Sequence, residues 1–196
     1  MIPTSLMMAS TIMIDPKMLV LIVVAIVAIL AIAWAVIRKR RSDELRQRFG
    51  PEYDRTLREH GPGRGETVLT QREKRVEKFR MRDLTLEERE RFITDWRVVQ
   101  SRFVDDPKAA IYEADTLVTR LMQARGYPMS DFSQRAADIS VDHPRVVDNY
   151  RAAHEIALRE RQGEATTEDL RNGLIYYRSL FDELLTTGKP AIREVA

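Results

Sequence analysis

The chain has 196 residues, of which 44% are apolar and 32% charged, with a formal net charge of +2. It contains no cysteine, which excludes a disulfide framework, a thiolate metal site and a cysteine nucleophile. Eight glycines and eight prolines among so many charges describe a helical, well-solvated chain, and the ~155 residues that follow one long apolar run suffice for a single domain with a sizeable core.

Residues 1–17 are methionine-rich, with Met1, Met7, Met8 and Met13, and carry no hydrophobic period, so they read as a short outer tail. The run Met18 to Ile37, MLVLIVVAIVAILAIAWAVI, is uncharged, and Arg38, Lys39, Arg40 and Arg41 close it. At about 1.5 Å per residue it spans roughly 30 Å, the thickness of a bilayer's hydrocarbon core. Thirteen of its residues are Leu, Ile or Val; together they favour insertion by about 4–8 kcal/mol. In lipid only a helix satisfies the backbone of a lone segment. Trp34 lies near the basic end, where an amphipathic ring suits the interface, so Trp34 and Arg38 to Arg41 are the expected membrane-interface residues. A cleaved signal peptide competes, because Ala31-Ile32-Ala33 has the small-x-small form, yet such a peptide carries its positive charge before the apolar region. Here the preceding residues offer only Lys17, balanced by Asp15. Positive residues stay inside, which predicts a single-pass membrane protein with its amino terminus outside and its soluble domain in the cytoplasm.

The small net charge hides a division. Residues 38–82 hold 15 Lys and Arg against 8 Asp and Glu, a net +7, while residues 83–196 hold 16 against 21, a net −5. Cations near an anionic leaflet gain up to about 1 kcal/mol each. The expected partners of the basic part are therefore anionic lipid headgroups.

Residues 38–84 read as a basic helical neck. Ser42 with Asp43 and Glu44 can cap a helix, and Leu45, Phe49, Tyr53 and Leu57 recur every four residues. That stripe is one residue wide, suited to lying on something rather than to forming a core. Gly50-Pro51 predicts a kink or two short helices, and Gly61 to Gly65 a break. Residues 66–82 follow as a charged rod with Leu69, Val76 and Phe79 on one face, and residues 81–84 bridge to the domain proper.

Residues 85–188 read as four helices. Thr85-Leu86-Glu87-Glu88 is a capping box, and the helix after it carries Phe92, Trp96, Val99 and Phe103 at 4-3-4 spacing. Asp106 caps the next helix with Pro107 in its first position, and so short a connection makes the two antiparallel. Ala110, Ala114, Leu117 and Leu121 form its apolar face, closed by Gly126 and Pro128. A connector over 129–141 with one short helix leads to Asp142-His143-Pro144, which predicts a third long helix with Val147, Tyr150, His154 and Leu158 on one side. Gly163 stops it. Thr166 or Thr167 caps a fourth, with Leu170, Leu174, Tyr177, Phe181 and Leu184, and residues 189–196 form a tail. No strand pattern occurs, so the fold class is all-α: a transmembrane helix, a basic neck and an antiparallel four-helix bundle.

Candidate chemistry is sparse. Asp142, His143 and His154 are the polar candidates for a metal or acid–base site, but the Glu-x-x-His doublet of bundle metal centres is missing. His143 fits a helix start, and His154 a partly buried spacer between Tyr150 and Leu158. Gly61 to Gly65 lacks the Lys-Ser/Thr ending and feeding strand of a phosphate loop. Residues 71–82 are rich in Arg and Lys, but Glu73 and Glu77 oppose phosphate, and no nucleic-acid partner is expected. The serines lack a GxSxG turn, Tyr176-Tyr177 and Trp96 read as core and rim, and Asp105-Asp106 as a cap. No catalytic residue and no cofactor or metal site is assigned.

The phrases FGPEYDR, QREKRVEKF, SRFVDDP, EADTLVTRLMQARGYP, QRAADISVDHPRVVDNYRAAHEI and GEATTEDLRNGLIYYRSLFDELL resemble a bacterial family of membrane-anchored, all-helical proteins with no established activity. The resemblance spans residues 49–185; it implies an architecture and transfers no functional residue. These readings lead to a non-catalytic membrane-anchored adaptor or accessory subunit, with a protein partner in a membrane complex that meets the bundle's outer face or the groove around residues 125–141. The alternatives are a ligand- or metal-binding or enzymatic bundle using His143 and His154, and a bundle anchored facing the envelope.

Overall fold

The computed structural model describes residues 16–186, which form eight helices and no strand. The tail expected over 1–17 lies outside the described residues up to position 15, and that over 189–196 lies wholly outside them. Contacts divide the chain into two units, residues 1–43 and 44–196.

The first unit is the apolar part of helix α1 (Pro16–Phe49). This helix is long and apolar enough to cross a membrane, and none of its apolar window is buried by the protein itself. Its side chains from Lys17 to Arg41 are exposed on every face. The helix outlasts the apolar run because residues 38–48 are almost all good helix formers, and Gly50, at φ 50°, followed by Pro51 ends it.

The second unit contains the last turns of α1 and seven further helices: α2 (Pro51–His60), α3 (Pro62–Val76), α4 (Leu86–Asp105), α5 (Pro107–Arg125), α6 (Phe132–Asp142), α7 (Val147–Arg161) and α8 (Thr167–Thr186). Local chemistry sets most boundaries. Thr85 Oγ1 accepts from the Glu88 amide at 3.1 Å while a Glu88 carboxylate oxygen accepts from the Thr85 amide at 2.9 Å. Asp106 accepts from the Ala109 amide, Asp131 from the Gln134 amide, and Thr166 Oγ1 from the Asp169 amide, with Asp169 bonding back to Thr166. Gly126 ends α5 in the left-handed region, and the backbone of Arg80 passes so close that an added Cβ would lie 2.4 Å from its carbonyl oxygen.

α4 and α5 pack as one hairpin and α7 and α8 as another, with α5 against α8. Arg120 of α5 reaches Asp95 of α4, and Arg102 pairs with Glu113, the crossed order of antiparallel helices. Asn149–Ser179 and Arg159–Asp169 show the same order for α7 and α8. Between the hairpins the order differs: Ile111 meets Gly173, and Asp115 accepts from Tyr177, so α5 and α8 run parallel. Trp96 of α4 stacks on Phe181 of α8 at 4.6 Å.

Three sequence readings need correction at the level of elements. The break expected over 61–65 shrinks to Gly61, because Pro62 starts α3 and Gly65 sits within it, buried against Leu57 and the α2 backbone. The rod expected to reach residue 82 stops at Val76; the following strip bonds across the end of α5 through the Arg82 amide and the Arg125 carbonyl at 3.0 Å. Asp142 closes α6 instead of opening the next helix, and α7 starts after a turn, at Val147.

The stripe Leu45, Phe49 and Tyr53 is buried, forming with Leu69, Val76 and Val141 a cluster distinct from the main core over α4–α8. Residues 44–84, read as a neck, thus lie in the same compact unit as α4–α8. The second half of the connector over 129–141 is covered as well: α3 packs on α6, and Ala136, Asp138, Ile139, Ser140 and Val141 are buried.

Candidate functional site

The structure places its densest buried charge where the α2–α3 hairpin meets α6 and α7. Glu52, on the first turn of α2, is 1% exposed. Arg151 of α7 clamps both its oxygens, at 2.7 and 2.8 Å, and Arg72 of α3 donates to Oε1 at 2.7 Å. Arg72 also donates to Ser140 Oγ of α6 at 3.3 Å, and Arg151 to Asp148 at 3.0 Å. Asp148 accepts in turn from Arg55 of α2 at 3.2 Å. One turn along α3, Arg75 donates to Asp138 of α6 at 3.0 Å, and Gln134 donates to the same carboxylate at 2.8 Å.

The electrostatics of the two buried carboxylates differ. Burial alone would raise the Glu52 pKa, but the hydrogen bonds and charge of Arg151 and then Arg72 outweigh it and hold the carboxyl below its ordinary value. At Asp138 burial wins over Gln134 and the two arginines, and the pKa is raised. Glu52 accepts three guanidinium bonds through its two oxygens, which hold it ionised at 1% exposure. The seam is therefore built to fasten elements together.

The polar residues singled out from the sequence go to separate partners. Asp142 accepts from the Tyr127 hydroxyl at 3.1 Å, within the main core's margin. His143, 3% exposed, caps the end of α6 and pairs through Nδ1 with Glu183 of α8 at 3.2 Å, a different position from the helix start expected for it. His154 stacks on Phe132 at 3.6 Å between centroids, its Nδ1 is buried without a hydrogen-bond partner, and burial lowers its pKa. Among the described residues, no three His, Asp or Glu side chains are placed to hold a metal ion. Arg38 to Arg41, expected from the sequence at a membrane interface, are exposed along α1, with the Arg38 guanidinium 5.3 Å over the Trp34 ring.

Elsewhere, the Tyr177 hydroxyl of α8 donates to Asp115 of α5 at 2.9 Å, and Lys108 of α5 pairs with the buried Glu160 of α7 at 2.7 Å. Burial pushes the Tyr127 and Tyr177 phenols far above their ordinary range, so both are donors throughout the physiological pH span. Compared with models of protein families, with curated proteins and with solved structures, the chain matches none.

Proposed function

We propose that this protein is a single-pass membrane protein of the bacterial cytoplasmic membrane that acts as a non-catalytic adaptor or accessory subunit, presenting a helical domain to a protein partner in a membrane complex. The observation that carries the reading is the exposure of α1: twenty consecutive uncharged residues, Met18 to Ile37, are exposed on every face of the helix. Water penalises such a surface heavily, whereas a bilayer accepts it. The four cations after Ile37 favour the amino terminus outside and the domain in the cytoplasm. Trp34 and Arg38 to Arg41 then sit at the interface, against anionic headgroups.

The presented domain is a four-helix bundle made of the α4–α5 and α7–α8 hairpins, with its outer helix faces open to a partner. The absence of native cysteine offers a direct test. Glu168 is exposed on the first turn of α8, so a Glu168→Cys variant carries one reactive thiol. In intact cells an impermeant maleimide should leave it unlabelled, and permeabilisation should make it react. Labelling in intact cells would place the domain in the envelope. A protein that stays monomeric in detergent and forms no discrete crosslinked species in native membranes is not an adaptor.

A further inference from the structure

We propose that the α2–α3 hairpin is a charge-fastened latch, a separately opening unit held onto α6 and α7 by the Glu52–Arg72–Arg151 seam. Four observations support it, and all lie within residues 44–186. First, the hairpin sits in a small apolar cluster of its own, to which the end of α1 contributes Leu45 and Phe49 and α6 the buried Val141, whereas α4–α8 share one large core. Second, the polar contacts across the boundary are numerous: Glu52 with Arg151, Arg72 with Ser140, Arg75 with Asp138, and Arg55 with Asp148. Third, two of the acids that fasten it, Glu52 and Asp138, are each 1% exposed. Fourth, Thr56 on the same helix is wholly buried with its hydroxyl unpartnered, so α2 itself packs with a polar group unsatisfied.

Buried ion pairs of this kind hold elements in one register, yet their desolvation cost offsets most of their attraction, so they bind less firmly than an apolar seam of equal area. Elements joined mainly by such contacts open below the global unfolding transition. Opening the hairpin would take Glu52, Arg72 and Arg75 away together, leaving Arg151 and Asp138 uncovered on the α6–α7 face. That face, with Arg151, Asp138 and the Ser140 hydroxyl, is what the latch conceals, beside the already exposed Asp148. The inference is independent of whether α1 spans a membrane.

Native-state hydrogen exchange of the full-length protein in detergent, read by mass spectrometry across low urea concentrations, tests it. The amides of α2 and α3 should exchange together, through one opening, at least roughly tenfold faster than those of α5 and α8. Glu52→Gln keeps the shape but removes the charge that both arginines meet; it should speed exchange in α2 and α3 by a further ~100-fold, whereas Val118→Ala, in the core that α4–α8 share, should speed α5 and α8 and leave α2 and α3 within about twofold. If the wild-type hairpin exchanges at the same rate as α5 and α8, the latch does not exist. If Val118→Ala speeds α2 and α3 as much as α5 and α8, the hairpin is not separable; if Glu52→Gln leaves α2 and α3 unchanged, charge is not what fastens it.

Discussion

At the level of single residues, the two buried acids of the seam act on stability with opposite signs. Glu52 has a pKa below its unfolded value, so it contributes stability above the ordinary carboxylate range and loses it as pH falls through the depressed value. Asp138 has a raised pKa, so its ionised form costs stability, and that cost is relieved as pH falls through the raised value. In urea titrations from about pH 7 to pH 3, Glu52→Gln should lower stability at neutral pH by about 3 kcal/mol, the scale of a broken buried pair, and flatten the acid limb. Asp138→Asn should steepen that limb, because the compensating gain disappears. Equal acid slopes in both variants would refute this assignment of the two carboxylates. The sequence held a partial signal for these residues. Arg72 falls at the 3-4 spacing between Leu69 and Val76, on the apolar side of its helix, and Arg151 follows Val147 by one turn. A charge on an apolar stripe points to a buried partner, but spacing within one helix cannot say that the partner is Glu52, 20 residues from Arg72 and 99 from Arg151. The histidine site that the sequence offered only as an alternative has its members apart: His143 pairs with Glu183 of α8, and His154, within α7, stacks on Phe132.

At the level of elements, α4, α5 and α8 were legible because their ends are written in local chemistry. Capping box, Asp-Pro start and left-handed glycine each act over three or four residues, within reach of a sequence pattern. Asp106→Ala should cost about 1 kcal/mol in thermal or urea unfolding, through the lost bond to the Ala109 amide. What the sequence could not supply was packing. Gly173 interrupts the apolar rhythm of α8 with no evident reason, but a Cβ there would lie 2.9 Å from Ile111 Cδ1 and 3.1 Å from Ile156 Cγ2. It is the point where α5, α7 and α8 approach one another. Both neighbours are side-chain methyl groups able to yield a little, and alanine gains up to about 1 kcal/mol of helix propensity. Gly173→Ala should therefore be within about 1 kcal/mol of neutral, whereas Gly173→Leu should cost about 3 kcal/mol by overpacking. Urea midpoints of the two variants check this; a leucine as tolerated as alanine would mean that the three helices can spread at that point. The stripe Leu45, Phe49 and Tyr53 misled for the same lack of tertiary information: one residue wide, it has enough area for a small cluster once Leu69, Val76 and Val141 close over it.

On the scale of the whole molecule, the proposal hangs on which way the chain crosses, and the charge asymmetry around α1 makes that a quantitative matter. Before the apolar run Lys17 is cancelled by Asp15, and after it come Arg38, Lys39, Arg40 and Arg41 with no acid before Asp43. Orientation rules count cations within ~15–20 residues of the span and give acids little weight. Replacing Arg38, Lys39, Arg40 and Arg41 together by glutamine leaves Arg46 and Arg48 as the nearest later cations, against Lys17 on the other side. The bias should then weaken enough for a mixed population. In the Glu168→Cys background, impermeant maleimide should label a distinct fraction of the quadruple variant in intact cells, where the parent stays unlabelled. The same variant should also bind less tightly to vesicles containing anionic lipid, by up to about 1 kcal/mol per cation removed. A quadruple variant that stays wholly unlabelled until permeabilisation would show that folding of residues 44–186 on the cytoplasmic side, and not the four cations, fixes the topology.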